Sequence, residues 1–433
     1  MMKIKNVLVA LTATFSFSLS VCAIEVPEYS IVEETTEDAV VTIIVKYASL
    51  SADGTKTQMV SGLVSYPINM QPYAIILDNH HTITDNAEAP SVAGETASAI
   101  LLRTIFFIVA PDYVGYGITE EEAHPYLCQM QNAANSVDLA IVARDIITKR
   151  NIQIETDTLF NIGYSQGGGV ALAVHRMLEE DSELVEFLHF AKTCCGEGPY
   201  DVSATLNYML DSTDTIVMPV ILPLVVKGFL TGCPQFFAAN RKFSDFFKDN
   251  LINAGLEEWI DSKEFTTDQI SAKMLEVTNG SSSLKDFLND SMFEDGSELR
   301  AELDAAAKAN SLLDGWKVSY PLWMYHLTGD KVVPFINAQN AVDSLGIEDY
   351  EFYKASNPDH AFYGQMFYIY AANDIINFCK EKIFGGVVTP SDIEIVPNNT
   401  LDLSAPMYDI LGRRVDAHYE GIIIQNGRMI YKK

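Results

Sequence analysis

A single segment, from 159 to 177, limits the choice of folds more than any other part of the chain. Its sequence is LFNIGYSQGGGVALAVHRM, in which an apolar run is followed by a serine with a glycine two residues away on each side. The apolar run predicts a short buried strand, and the small and apolar residues after Ser165 predict a helix. A glycine-flanked serine between a strand and a helix is typical of a sharp turn that exposes the serine hydroxyl.

The predicted elements around this unit alternate between strand and helix. Short β-branched runs begin at residue 39, FFIVAPDYVGYG at 106–117 predicts a further strand, and 129–149 has helical spacing. Strand character returns at 320–334 and 350–362. This alternation predicts an α/β protein whose mainly parallel sheet is covered by helices on both faces.

Five parts are predicted along the chain. A capping box formed by Thr266 and Gln269 belongs to a helical insertion between sheet strands. After a break, Asn426-Gly427 lies between apolar runs as the turn of a hairpin in a small β tail. The predicted parts are a signal peptide at 1–23, a first core part at 24–203, the helical insertion at 204–315, a second core part at 316–388 and the tail at 389–433.

The first residues predict export. Two lysines precede an apolar stretch that ends in Val21-Cys22-Ala23, which fits cleavage after Ala23. The alternative is a lipoprotein anchor at Cys22, which Val21 disfavours. The apolar segment at 216–230 contains two prolines and Lys227, so no transmembrane segment is predicted. We expect a periplasmic, cell-surface or secreted protein.

Charge and cysteine content exclude several classes of partner. The formal net charge is -29 at pH 7, and removing the two lysines of the signal makes it -31. Such a balance repels phosphate backbones, so no nucleic-acid partner is expected. Five cysteines remain after cleavage, an odd number with a vicinal pair, and no metal-ligand spacing occurs. No disulfide framework, metal site or cofactor is predicted.

Ser165 is the candidate nucleophile, because a serine hydroxyl needs both exposure and a base within hydrogen-bond reach. The alternative is an ordinary serine in a glycine-rich turn. In folds with this turn the acid and then the histidine follow the serine along the chain. His326, His360 and His418 lie well beyond Ser165, and His360 is predicted as the base because it follows a strand, on a loop.

The acid and the oxyanion donors are predicted from strand ends. Asp330 ends a strand in LTGDKVVP and is preferred over Asp359, which is adjacent to His360 and points elsewhere on an extended chain. The peptide N–H of Gln166 is the first oxyanion donor. The second is expected in the loop DNHHTIT, from His81 or Thr82, although its histidines could merely line the cleft.

Several motifs together resemble the alpha/beta-hydrolase superfamily, and within it the secretory lipase family. They are the turn GYSQG at 163–167, PDYVGYG, HPYL and GEGPYD, and the likeness covers roughly residues 35 to 388. The resemblance implies a helical cap after the sixth strand that closes over an acyl-binding cleft. His80-His81 departs from the His-Gly of many relatives. The tail resembles a C-terminal sorting-type domain of exported Gram-negative proteins, which implies contact with export machinery.

The predicted function is therefore a secreted serine ester hydrolase of the lipase or carboxylesterase type. It would act on a small-molecule or lipid ester through a Ser-His-Asp triad and a covalent acyl-enzyme. The alternatives are a serine exopeptidase with the same triad and a binding protein on a hydrolase scaffold that has lost activity.

Overall fold

The predicted sheet is the centre of the structure, a computed structural model. It describes residues 24–96, 98, 102–212, 215–356 and 358–380, and four short strands after 406. The strands of the sheet are β1 Tyr29–Glu37, β2 Val40–Leu50, β3 Thr57–Pro67, β4 Ile75–Asn79, β5 Phe107–Pro111, β6 Leu159–Tyr164, β7 Phe190–Gly196, β8 Leu322–Leu327 and β9 Asp349–Tyr353.

The α-helices of the described residues follow in chain order. They are α1 Pro90–Ala93, α2 Gln129–Arg150, α3 Gln166–Glu180, α4 Ser182–Leu188, α5 Val202–Ser212, α6 Ile221–Gly232, α7 Asp249–Ala254, α8 Leu256–Asp261, α9 Thr267–Val277, α10 Leu284–Phe287, α11 Glu298–Asn310, α12 Ile336–Leu345 and α13 His360–Phe378. Short 3₁₀ helices lie at Asn86–Glu88, Gly117–Thr119, Pro234–Phe236, Phe243–Phe246 and Asp290–Phe293.

The strand order is β1-β2-β3-β5-β4-β6-β7-β8-β9. The pairs from β1 to β5 are antiparallel, and all pairs from β5 to β9 are parallel. One face of the sheet packs against α2, α3 and α12, and the other packs against α13. The predicted α/β architecture with a mainly parallel, doubly covered sheet is therefore confirmed.

Strand β1 was not predicted from the sequence. Eight of its nine residues are exposed, so no buried face imposes the alternation of apolar and polar residues that identifies a strand. Strand β5 is shorter than the predicted segment, because the chain leaves the extended conformation after Pro111 and Tyr113 has a φ of 64°.

Helices α5 to α11 lie between β7 and β8 in the chain, where the helical insertion was predicted. The insertion buries an apolar cluster, which includes Leu224, Phe229 and Phe246 and extends to Tyr126 before α2. The predicted capping box is confirmed: the Gln269 N–H donates to Thr266 Oγ1 at 3.4 Å, and the Thr266 N–H donates to Gln269 Oε1 at 2.9 Å.

The described residues of the tail form four antiparallel strands, β10 Met407–Asp409, β11 Arg414–Val415, β12 Gly421–Gln425 and β13 Arg428–Lys432, in the order β11-β10-β12-β13. Gln425 pairs with Arg428, as the predicted hairpin requires, although residues 426–427 lie outside the described residues. The predicted signal peptide and Cys22 also lie outside them. In the described parts of the chain, no helix combines the length and hydrophobicity that crossing a bilayer requires.

Candidate active site

Four polar side chains converge at the edge where the parallel strands end. Ser165 follows β6, Glu197 follows β7, Asp330 lies three residues beyond β8, and His360 follows β9. The carboxyl ends of parallel strands meet at the same edge of a sheet, which is where ligands bind in α/β proteins. Residues far apart in the sequence are thereby brought into contact.

The turn at Ser165 explains why glycines lie two residues away on each side. Ser165 has φ 57° and ψ -124°, a backbone conformation that residues other than glycine rarely adopt. A Cβ on Gly163 would lie 2.0 Å from the carbonyl oxygen of Gly167, and one on Gly167 would lie 1.9 Å from that of Asn79. Only glycine therefore allows β6, α3 and the end of β4 to approach this closely.

A hydrogen-bond chain links Ser165, His360 and Asp330. His360 Nε2 lies 2.8 Å from Ser165 Oγ, and His360 Nδ1 lies 2.6 Å from Asp330 Oδ2. The carboxylate accepts the Nδ1–H, so in the neutral imidazole Nε2 is free to accept the serine proton. The N–H groups of Val332 and Val333 donate to Asp330 Oδ1 at 2.7 and 3.2 Å and fix this carboxylate. The structure thus brings together the three residues predicted as a triad.

The competing candidates have other partners. Asp359 caps α13 by accepting the N–H of Phe362 at 3.0 Å. His326 is fully buried, and its Nε2 lies 3.1 Å from the carbonyl oxygen of Val333. His418 lies outside the described residues. The predicted loop position of His360 is wrong: His360 is the first residue of α13, because Asp359 supplies the helix cap.

Gln166 is firmly held beside the serine. The carbonyl of Ser165 accepts the N–H groups of Gly168 and Gly169, while the N–H of Gln166 has no acceptor within the helix. The Gln166 amide donates to His124 Nε2 at 2.7 Å, and His124 Nδ1–H donates to the carbonyl of Val114. Burial lowers the pKa of His124 to about 3, so this anchor is uncharged.

The loop after β4 lies against the start of α3, because the carbonyls of Asn79 and His80 approach Gly167. Within the described chain, the peptide N–H groups of His81 and Thr82 have no acceptor, which leaves both available as the second donor. Thr82 Oγ1 bonds the Tyr126 hydroxyl at 2.9 Å. The His80 ring is instead buried, with its Nε2 3.1 Å from the carbonyl oxygen of Asp112.

Glu197 is a site residue that the sequence analysis did not single out. Its Oε2 lies 2.9 Å from His360 Nδ1, and its side chain is fully buried. Burial, assisted by the nearby charge of Asp330, raises the pKa of Glu197 to about 7. The available signal was its position at a strand end in GEGPYD, the same signal that identified Asp330.

The pKa values of the other two groups follow from their contact. Burial alone would lower the pKa of His360, but the charge and hydrogen bond of Asp330 raise it above its usual range. Burial alone would raise the pKa of Asp330, but the charge of His360 holds it well below its usual range. Both shifts stabilise an imidazolium beside a carboxylate. The donor atoms of His360, Asp330 and Glu197 lie within 4.8 Å of one another, but the ring nitrogens of His360 already contact Asp330 and Ser165.

A small apolar pocket opens at Ser165. Its walls come from the loop before α2, from α5 and α6 of the insertion, and from the residues after Asp330. The lining residues are Tyr126, Leu127, Ser165, Gln166, Pro199, Val202, Thr205, Leu206, Met209, Ile221, Val225, Val332 and Val333. Such a pocket fits an apolar group placed next to the serine hydroxyl.

The five cysteines of the described residues are free thiols. Cys128 and Cys233 form the nearest pair, with 3.4 Å between their sulfur atoms, and Cys233 also accepts from the Asn310 amide at 3.0 Å. The remaining three are also buried: Cys194 and Cys195 lie on β7, and Cys379 directly follows α13.

Comparison with solved structures gives many similar chains. The rice cell wall degrading esterase LipA from Xanthomonas oryzae matches with 18% identity and a TM-score of 0.63, over 83% of this chain and 98% of the other. A Legionella pneumophila protein provisionally described as a hydrolase matches with 20% identity and a TM-score of 0.66, over 82% and 98%. Lipase A of Candida antarctica in its closed state matches with 14% identity and a TM-score of 0.53, over 84% and 83%.

These likenesses confirm the predicted alpha/beta-hydrolase fold. No known family model and no curated protein matches the chain.

Proposed function

We propose that this chain is an exported serine hydrolase of carboxylic esters. The observation that carries the proposal is the hydrogen-bond chain from Ser165 through His360 to Asp330 at the mouth of an apolar pocket. Its structural neighbours include proteins named as an esterase and a lipase, which supports the same choice of substrate class. The sequence of the first 23 residues supports export, and the tail is proposed to engage export machinery.

In the proposed mechanism Ser165 Oγ attacks the ester carbonyl while His360 Nε2 takes the serine proton. Asp330 accepts the Nδ1–H bond and stabilises the imidazolium that forms. The oxyanion accepts one hydrogen bond from the peptide N–H of Gln166 and a second from the peptide N–H of His81 or Thr82. The imidazolium then protonates the leaving alcohol, and a water activated by His360 hydrolyses the acyl-enzyme.

The pocket suggests which half of the ester the protein holds. Apart from Ser165 itself and a few polar groups such as Thr205, its lining is apolar. Burying methylene groups of an acyl chain there is favourable by about 0.8 kcal/mol for each group. We therefore propose that the acyl group, rather than the alcohol, occupies this pocket.

The first test compares p-nitrophenyl esters of increasing acyl length with aminoacyl p-nitroanilides. Hydrolysis of the esters with little cleavage of the anilides supports the proposal, because both substrates share the chromophore and differ in the bond cleaved. Preferred cleavage of the anilides would instead identify a serine exopeptidase. Absence of both activities in folded protein would fit a binding protein.

The second test is Ser165→Ala, which removes the nucleophile. We expect kcat to fall on the order of 10⁴-fold to 10⁶-fold with an unchanged melting temperature. The matched control is Ser182→Ala, an exposed serine at the start of α4, which should hydrolyse the esters at the wild-type rate. Near-normal turnover by Ser165→Ala would remove Ser165 from the mechanism.

A further inference from the structure

Glu197 faces the same imidazole nitrogen as Asp330. The Nδ1 of His360 lies 2.6 Å from Asp330 Oδ2 and 2.9 Å from Glu197 Oε2. A neutral imidazole has one proton on this nitrogen, so it cannot satisfy two ionised carboxylates. Two negative charges this close also oppose each other, which favours a proton on one of the two acids.

The hydroxyl of Tyr164 indicates which acid carries the proton. Its oxygen lies 2.6 Å from the carbonyl oxygen of His360 and 2.5 Å from Glu197 Oε2. A carbonyl oxygen can only accept, so the single tyrosine proton belongs on the bond to His360. The contact with Glu197 is then a hydrogen bond only if Glu197 donates, and this requires a protonated carboxyl group.

The surroundings of Glu197 favour the same assignment. Among the described residues, its buried Oε1 has no hydrogen-bond partner. An ionised carboxylate in this position would leave charge on a desolvated oxygen, which is far more costly than a neutral carboxylic acid. Asp330 differs, because two peptide N–H groups and His360 all donate to it.

We propose that Glu197 is a positioning residue for His360. This proposal rests on the proposed function. In the resting site Glu197 carries a proton, donates to Tyr164 and leaves Asp330 as the one charged partner of the imidazole. When Glu197 loses this proton, a second negative charge stands beside Nδ1 and makes His360 a stronger base. The hydrolase therefore has two ionisations that control the rate, where a simple triad has one.

The other titratable groups around this pair do not ionise near neutral pH. Burial is the main cause of the raised pKa of each tyrosine near the pair. It is also the main cause of the lowered pKa, about 4, of each neighbouring histidine. The groups that face Glu197 are Tyr164, Tyr200, Tyr325 and Tyr363, and those that face His360 are His81 and His326. Ionisations of this site near and above neutral pH can thus be assigned to Glu197, whose pKa is about 7, and to His360, whose pKa lies above its usual range.

The experiment combines infrared spectroscopy with kinetics on the full chain. The difference spectrum between the wild type and Glu197→Gln should show a carboxylic-acid carbonyl band that disappears as the pH rises through neutrality. The bands of the buried acids Asp78 and Asp138, whose pKa values are about 7 and about 6, cancel in this difference. The difference spectrum between the wild type and the control Glu183→Gln, at an exposed position on α4, should lack this band. The profile of kcat/KM against pH should show two ionisations in the wild type and one in Glu197→Gln.

Tyr164→Phe tests the direction of the hydrogen bond. If Glu197 donates to Tyr164, removal of the hydroxyl destabilises the protonated acid, and its band should disappear about one pH unit lower than in the wild type. If Tyr164 instead donates to an ionised Glu197, the shift should be upward, which would overturn the proposal.

A difference spectrum between the wild type and Glu197→Gln that contains no titrating carboxylic-acid band would also overturn the proposal. If Glu197→Gln does not fold, the wild type and Tyr164→Phe decide the question. The infrared titration needs no substrate, so a protein that shows the expected band but cleaves no ester would refute the proposed function and leave the assignment of Glu197 intact.

Discussion

The backbone of Ser165 has a positive φ that costs roughly 1–3 kcal/mol for a residue with a side chain. The packing of β6, α3 and the loop after β4 holds it there, because Gly163 and Gly167 permit contacts that no other residue allows. The strain points the hydroxyl towards His360 before any substrate binds.

Asp330 and Asp359 give a matched pair of substitutions at the residue scale. Asp330→Asn should lower kcat by roughly 10³-fold to 10⁴-fold, because the uncharged amide does not stabilise the imidazolium and its NH₂ group, when it donates to Nδ1, holds the imidazole in the wrong tautomer. Asp359→Asn should leave the rate nearly unchanged, since asparagine caps a helix as well as aspartate. Steady-state kinetics on both variants decides: a mild Asp330→Asn with a damaging Asp359→Asn would contradict the assignment.

Helix α6 serves two purposes on two faces. Ile221 and Val225, one turn apart, line the pocket at Ser165. Leu224, Val226 and Phe229 pack into the apolar cluster of the insertion. The helix can both line the pocket and pack in the core of the insertion, because its apolar residues surround most of its axis.

At the scale of this element, Val225→Phe should shorten the preferred acyl chain, because the larger ring occupies space at the pocket wall. The readout is the activity profile over p-nitrophenyl esters of different length, together with labelling of Ser165 by an organophosphonate. The control Leu224→Ala should keep the wild-type profile while it lowers the free energy of unfolding by about 2–5 kcal/mol. An unchanged profile in a labelled Val225→Phe would place the acyl group elsewhere.

At the scale of the whole molecule, some of the many acidic side chains are buried in the interior. Burial raises the pKa of Asp78 to about 7, against one hydrogen bond from Thr96, and the pKa of Asp138 to about 6. An acid whose pKa is higher in the folded than in the unfolded state makes its full contribution to the stability of the folded state at low pH. This contribution is lost as the pH rises from the unfolded value near 4 through the folded value near 7.

Asp78→Asn tests this coupling of stability to pH. The asparagine cannot ionise. The free energy of unfolding of the variant relative to that of the wild type should therefore be greater at about pH 8 than at about pH 4, by roughly 2–4 kcal/mol. Urea unfolding at the two pH values measures the difference. Asp343→Asn, at an exposed position on α12, is the control and should show no such change. An equal effect of Asp78→Asn at both pH values would mean that Asp78 is ionised in the folded protein.

The sequence alone determined the features that neighbouring residues encode. The glycines around Ser165 predict the turn, because the clash they avoid involves residues within a few positions of it, apart from the contact with Asn79. The alternation of strands and helices and the capping box at Thr266 are equally local, and these predictions are confirmed. Strand β1 escaped prediction because it has no buried face to impose a pattern.

Only the tertiary structure decided which side chains meet. Asp330 reaches the imidazole, Asp359 turns to cap α13, and Glu197 joins the site from a strand end that no spacing rule connects to His360. Likewise, Ile221 and Val225 of α6 line a pocket only because α5 and the residues after Asp330 form its other walls. These outcomes depend on the order of strands in the sheet, and that order brings together residues whose separation along the chain carries no signal.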